Sequence, residues 1–372
     1  MPPPSAGDAH APRPVGVDDS GARVLEIGGD SWFKRAYPKQ TSLLWTGWRN
    51  RPGDLDCEDA TPLAMARAFA GIRERRYDLV VVHPSHYAPF SQRNGFRAFF
   101  QSPWRPWSAL TRVYGTAYFR LPGFSPPPGL GPPLVVIDAA DIPAVGKPTI
   151  ALMDKAKFVF KRELPIDRWR VLAGVAHPFL PGLQMRLSAK WGRRMDKLRP
   201  VNLPLRHWDE ANALHSFPKK EIDLFFAGSI EANSTLRRDG IAEIARLADA
   251  GVSVDYSERA LPPKEFLARM ARAWLTWSPE GIGWQCYRHF ESLMTYTVPV
   301  INAPTVIRAT PLVEGVHAIY YTPENGGLTQ AIRKALADKP RLKAMAEEGH
   351  RFAEANATMK ACCDYVLRTA LA

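Results

Sequence analysis

The chain has 372 residues, 46% hydrophobic and 23% charged, which suffices for two domains with separate cores and excludes a disordered or collagen-like composition. Its net charge is +12, carried unevenly: residues 1–220 hold 32 Lys+Arg against 19 Asp+Glu, while residues 221–372 hold 17 against 18. The basic half suits an anionic partner, whether nucleic acid, an anionic membrane or an anionic glycan.

The four cysteines (Cys57, Cys286, Cys362 and Cys363) form no CxxC pair and no zinc spacing, the usage of a reducing compartment. No basic n-region with an apolar run opens the chain, and no run is long enough to span a bilayer. A cytoplasmic protein, peripheral at the inner face of a membrane, is the expectation.

Residues 1–20 are rich in Pro, Ala and Gly and are expected to be a disordered tail. A strand is predicted over 23–27, ending in Gly28-Gly29-Asp30, then a helix over 60–75 and strands over 78–82 and 133–137. Unbroken Val/Leu/Ile runs separated by helical segments predict a parallel sheet covered on both faces. Residues 95–133 break the pattern with Phe, Trp and Tyr mixed with Arg, then Pro and Gly. This insertion suits a membrane interface, a lipid-linked acceptor or a satellite hydrophobic cluster. No nucleic-acid-binding module accompanies the charge.

A second α/β series begins with a strand over 222–226 and continues with a helix over 236–248, a strand over 252–256, a helix over 263–273 and strands near 274–277 and 298–301. Phe266, Met270 and Trp274 recur as a helical stripe. Helices are predicted over 327–337, 340–355 and 359–370. The expected layout is an acceptor-side domain over 21–205, a nucleotide-binding domain over 206–355, and a helix over 356–372 crossing back. The linker is placed at 200–220, where Pro200, Pro204 and Pro218 recur. Two such domains face each other across the C-terminal ends of their strands, where ligands bind.

The richest segment is SPEGIGWQCYRHFESLMTYTVPVI, 278–301. Gly281 and Gly283 permit close backbone approach at a helix N-terminus, an anion site by geometry. Arg288 can neutralise a phosphate and Glu291 can accept from sugar hydroxyls; the same pair could be an ion pair on a solvated face. In the second constellation Gly228-Ser229 follows a strand, and Ser234 or Thr235 caps a helix carrying Arg237 and Arg238 in its first turn. Cations there oppose the helix dipole unless an anion is bound. His83 and His86 follow one strand, and Asp138 and Asp141 another; each offers a general base or a turn residue. Lys161, Arg162 and Glu163 either line the cleft on the acceptor side or form a surface pair. Asp54-Leu55-Asp56 is formally a DxD but sits in a Pro-Gly loop and reads as a solvated acidic turn, so no metal is expected. VLEIGGDSW resembles a methyltransferase opening without its glycine completion.

The run RHFESLMTYTVPVI…PLVEGVHAIYY…LTQAIRKAL…MAEEGHRFAEANAT is similar to the C-terminal domain of GT-B fold glycosyltransferases, group 1, and within them resembles the spore maturation protein-like and exostosin-like enzymes. The resemblance covers about residues 222–358. It implies a GT-B fold of two Rossmann-like domains and transfer of a hexosyl group from a nucleotide-diphosphate sugar, without metal or cofactor, to a glycan or lipid-linked acceptor in surface polysaccharide synthesis. It places Glu291 at the donor ribose, Arg288 beside the phosphates, and Glu280 as the first glutamate of a paired pattern. Ten residues separate Glu280 from Glu291 where that pattern has seven, and Thr295-Tyr296-Thr297 replaces a small, usually glycine-containing turn. A non-catalytic scaffold or glycan-binding protein, and a nucleotide-sugar epimerase on the same fold, are the alternatives.

Overall fold

A computed structural model describes residues 21–46, 52–84, 131–173, 183–205, 214, 216–230, 235–324 and 326–372. The tail 1–20, His86, Ser234 and all but the end of the 95–133 insertion lie outside the described residues.

The first sheet contains β1 (Val24–Gly28), β2 (Thr41–Trp45), β3 (Glu58–Asp59), β4 (Leu79–Val82), β5 (Leu134–Asp138), β6 (Phe158–Lys161) and β7 (Leu198–Pro200). They are parallel, in the order β3-β2-β1-β4-β5-β6-β7. Every residue of β1, β4 and β5 is buried, as continuous apolar runs covered on both faces should be. Around the sheet lie α1 (Trp32–Ala36), α2 (Pro62–Arg73), α3 (Lys147–Met153), a 3₁₀ turn (Arg168–Leu172), α4 (Leu183–Leu187) and α5 (Ala189–Met195). Helix α2 starts where Thr61 accepts from the Ala64 amide and Pro62 opens the first turn.

The second sheet contains β8 (Ile222–Ala227), β9 (Val254–Ser257), β10 (Ala273–Trp277), β11 (Val298–Asn302) and β12 (Ile319–Tyr321), parallel in the order β12-β11-β10-β8-β9. Its helices are α6 (Thr235–Asp249), α7 (Pro263–Ala271), α8 (Tyr287–Met294), α9 (Gly327–Leu336) and α10 (Lys339–Asn356). Helix α11 (Met359–Leu371) returns to the first sheet, where Cys362, Cys363, Val366 and Leu367 join one core with Val24, Phe33, Val81 and Phe160. Burial pushes the Cys362 thiol up to about 12, so it behaves as a small hydrophobe.

Two expectations shift. Helix α7 stops at Ala271, so Trp274 belongs to β10 and the helical stripe is shorter than predicted. Residues 198–205 are not linker: Leu198–Pro200 is an edge strand, and Leu205 donates its buried amide to Ala357.

The domains are joined by Glu163, three charges into the KRE run that follows β6. Its carboxylate accepts from the Trp284 amide at 2.8 Å and the Gln285 amide at 3.0 Å, both in the loop after β10. Arg162 donates to the Gln285 carbonyl, and the Gln285 amide side chain returns a hydrogen bond to the Arg162 carbonyl. Gln285 Oε1 also accepts from the Leu203 amide at 3.0 Å, and the Ile307 amide donates to Leu164 at 2.7 Å. Burial raises the Glu163 carboxyl above its ordinary value, against the opposing pull of Arg162, the two amides and Lys161. The C-terminal edges of the two sheets therefore meet at this clamp. Glu163→Ala strips two buried amides of their acceptor and is expected to cost ~3 kcal/mol. Urea denaturation checks this; a loss below ~0.5 kcal/mol would remove the clamp as a source of interdomain stability.

Candidate active site

In an open parallel sheet, ligands settle outside the strand C-termini where the chain reverses direction across the sheet. In the second sheet that point lies between β8 and β10. The loop after β8 is Gly228-Ser229 and the loop after β10 is Ser278 to Gly283. Arg237, from the first turn of α6, spans both: Nε donates to the Glu280 carbonyl at 3.0 Å and Nη1 to the Ser229 carbonyl at 2.8 Å. Helix α6 can lie this close because Gly240, one turn on, faces Trp277; a Cβ there would sit 2.2 Å from the indole.

Arg288, from the first turn of α8, enters the same crevice. Its Nη2 donates to the Ala227 carbonyl at 2.7 Å and its guanidinium lies 4.9 Å from the Phe226 ring centre. Gly228 lets the guanidinium come this close, because a Cβ there would lie 2.5 Å from Arg288 Nη2 where it now sits. Nε and Nη1 of Arg288 are buried with no hydrogen-bond partner among the described residues. Arg237 and Arg288 are each only 7% exposed, and among the described residues neither has a carboxylate within ion-pair distance. Burial lowers the Arg237 guanidinium below its ordinary value and the charge of Arg288 lowers it further, against Cys286 and Glu280. Two desolvated like charges at one crevice are costly without an anion.

The other donor-side residues separate by environment. Arg238 is exposed beside its buried neighbour. Glu280 is held by Asn302, which accepts from its amide at 2.9 Å and donates to its carboxylate at 3.1 Å. Glu291 is buried on the same helix as Arg288, which removes the solvated-face ion pair. Gly281 closes a tight turn onto Gly283 at 3.0 Å, while Gly283 abuts the first domain: a Cβ would lie 2.5 Å from the Asp141 carbonyl oxygen. The Trp284 and Gln285 amides just before α8, at the helix N-terminus read from sequence as an anion site, are already occupied by Glu163.

In the first sheet the reversal lies between β1 and β4. Gly28 ends β1, and His83 follows β4 so closely that a Cβ on Gly28 would lie 2.4 Å from His83 Cβ. His83 Nε2 donates to Glu26 Oε1 at 2.8 Å. Glu26, fully buried in β1, also accepts from the Phe33 and Lys34 amides at 3.1 and 2.8 Å, which anchors α1. With Nε2 committed as donor, Nδ1 of a neutral imidazole is an acceptor. That atom is buried without a hydrogen-bond partner, and Asp30 Oδ2 is 4.0 Å away. Burial pulls the imidazole down, but the hydrogen bond and charge of Glu26, with Asp30, outweigh it and leave His83 above its ordinary value. The signal for Glu26 in the sequence is a carboxylate inside a wholly apolar strand, VLEIG.

The remaining candidates are committed elsewhere. Asp138 is fully buried, accepting from Lys161 at 2.9 Å and Thr149 at 2.9 Å, so it ties β5 to β6 rather than facing an acceptor. Asp141 is exposed and paired with Arg162. Lys161 forms the strand-end ion pair with Asp138, and Arg162 and Glu163 form the interdomain clamp. Asp54 pairs with Arg35 at 3.0 Å, and Asp56 lies 3.7 Å from Lys34.

No protein-family model and no curated protein sequence matches the chain. Among solved structures, it is similar to an α-glucosyltransferase in complex with UDP and a 13-mer DNA containing a central A:G mismatch (TM-score 0.51, 9% identity, covering 94% of this chain and 100% of that one). It is also similar to the α,α-trehalose 6-phosphate synthase of Burkholderia multivorans (TM-score 0.51, 10% identity, 94% and 96% covered) and the N-terminal domain of a Candida albicans trehalose-6-phosphate phosphatase (TM-score 0.51, 9% identity, 93% and 96% covered). Two parallel α/β domains meeting at their strand C-termini, and these likenesses, give the chain the GT-B fold.

Proposed function

We propose that the protein is a glycosyltransferase taking a nucleoside-diphosphate sugar in the second domain and an acceptor hydroxyl in the first. One observation carries this reading: two buried guanidinium groups, with no carboxylate within ion-pair distance among the described residues, converge at the reversal point of the second sheet. A diphosphate supplies the missing negative charge and takes the unused Nε–H and Nη1–H of Arg288. The reading agrees with the UDP seen in the α-glucosyltransferase of similar fold, and with the spore maturation protein-like run in the sequence. Glu280 is oriented by Asn302, and Glu291 takes the ribose hydroxyls.

In the transfer step the anomeric carbon–oxygen bond to the diphosphate breaks and a bond to the acceptor oxygen forms. Arg237 and Arg288 stabilise the charge gathering on the leaving diphosphate, work that preorganised cations can do without a metal. The acceptor proton passes to His83 Nδ1, with Glu26 holding the imidazole in orientation. A base on the acceptor side makes the transfer inverting. Asp138 and Asp141 are not used, because Lys161 and Arg162 already neutralise them. The acceptor is a glycan or a lipid-linked glycan of surface polysaccharide synthesis.

The nucleotide is identified by a thermal-shift screen against UDP-, GDP-, ADP-, TDP- and CMP-sugars, followed by calorimetry. Arg288→Met is expected to weaken binding by about 10- to 100-fold, the loss of charge-assisted hydrogen bonds. The same change removes an uncompensated buried cation, so the ligand-free protein should unfold at an unchanged or higher temperature. Undiminished nucleotide affinity in Arg288→Met would overturn the diphosphate assignment. Tight binding with no turnover on any acceptor would favour the scaffold reading.

A second expectation concerns pH. The rate should rise as His83 loses its proton, with an apparent pKa above 6.5, and this acid limb should vanish in His83→Gln. Stability moves the other way. A raised histidine pKa stabilises the fold fully below the unfolded value of about 6.5, and that contribution fades as pH rises through the folded value. His83→Gln should therefore cost more stability at acid than at alkaline pH; a pH-independent difference would detach His83 from the Glu26 pair.

A further inference from the structure

The 3₁₀ turn Arg168–Leu172 and the α4–α5 pair bring together residues the proposed transfer does not use. Arg186, in α4, pairs with Asp167 at 2.9 Å and lies 5.9 Å from the Trp169 ring centre, so the two segments sit side by side. The ion pair is flanked by two of the most exposed aliphatic side chains in the described protein, Ile166 at 68% and Leu187 at 76%. On the same segments Arg168, Arg170, Lys190 and Arg193 are all exposed. Among the described residues Arg168, Arg170 and Arg193 have no carboxylate within 4.0 Å, and Lys190 has only Asp154, at 3.9 Å.

A single exposed leucine needs no explanation. Two large exposed aliphatics and four exposed cations, carried by segments that the Arg186–Asp167 pair holds side by side, combine apolar insertion with headgroup attraction. We propose that this face docks on an anionic lipid bilayer, Ile166 and Leu187 entering the headgroup–acyl boundary and the four cations meeting acidic headgroups. Charge complementarity requires an anionic partner. The aliphatics among the cations favour lipid over nucleic acid, whose phosphate backbone offers nothing to take them. Ile166 is three residues beyond Glu163, so such docking would set the interdomain seam beside the membrane.

The inference does not depend on glycosyl transfer, and its test contains no nucleotide. Full-length protein is floated with vesicles of phosphatidylcholine alone or with about one-third phosphatidylglycerol. Binding should be confined to the anionic vesicles and weaken with salt. The variant with Arg168→Glu, Lys190→Glu and Arg193→Glu should bind at least ~100-fold more weakly, since each cation near such a surface is worth roughly fivefold. Ile166→Ser with Leu187→Ser should lower binding several-fold while keeping the salt dependence. Thermal unfolding of both variants should match the parent, because all five side chains are exposed. Equal binding to neutral vesicles, undiminished binding of the charge-reversed variant, or no effect of the serine pair would each overturn the proposal. So would a DNA duplex binding as tightly at the same salt and losing affinity equally in both variants, which would mark the face as a site for acidic polymers.

Discussion

The arrangement of both crevices depends on one carboxylate reaching across the domain boundary. Glu163, two residues beyond the first domain's β6, accepts from two successive amides in the loop after the second domain's β10. Such a contact is directional: it needs the loop in one conformation and the two sheet edges at one separation. Its charge sits in a buried setting that Arg162 and Lys161 help to balance. Arg308 lies close behind, stacked 4.5 Å from the Phe290 ring centre and 5.6 Å from that of Trp284, its guanidinium pulled down to about 10 by burial despite Tyr320, Cys362 and Glu163. The clamp is therefore a small buried electrostatic system. Removing one member leaves the others uncompensated, which is why such systems fix geometry more than they add stability.

That clamp also divides the work of the loop after β10. An approach to a helix N-terminus ordinarily offers free amides to an anionic ligand. Here two of them are consumed internally, so the proposed anion would be met by side chains. Arg237 and Arg288 arrive from the first turns of two different helices, and among the described residues neither has a carboxylate within ion-pair distance. The opposite choice is made at the first crevice, where His83 is joined to Glu26. One crevice is short of negative charge and the other holds a carboxylate–imidazole pair. The proposed transfer would use that division, with the leaving diphosphate at one reversal point and the acceptor proton at the other.

Much of the fold is legible in the sequence because the physics is local. LVVV and LVVID read as strands covered on both faces, and α9, α10 and α11 lie within two residues of their predicted limits. Short or polar elements are harder. Ser42 interrupts β2, and β7 is three residues containing Arg199 and Pro200, which reads as linker; only pairing with β6 makes it a strand. Trp274 continues the helical spacing of Phe266 and Met270 by coincidence, since β10 follows α7 after a single residue. Arg237 and Arg288 could be singled out because a cation in a helix's first turn conflicts with the dipole. That Arg237 rather than Arg238 turns inward depends on Gly240 packing against Trp277, a contact between elements that local pattern does not contain.

The KRE run shows why charged residues resist sequence reading most. Three adjacent ionic side chains look like a cleft lining or a solvated pair. The structure buries all three by giving each a different partner: Lys161 takes Asp138 at the end of the neighbouring strand, Arg162 takes Asp141 and the Gln285 carbonyl, and Glu163 takes amides more than a hundred residues away. Lys161 is the last residue of β6, while Arg162 and Glu163 lie in the turn beyond it, so the three are not held to one face of the sheet. That change at the strand end lets it serve two purposes. Lys161, buried against Asp138, fixes where β6 stops, and so fixes how far Glu163 can reach. The width of the interdomain cleft is thereby tied to an ion pair inside the first sheet, and the contact of Gly283 with the Asp141 carbonyl, which no side chain at 283 would permit, sets its lower limit.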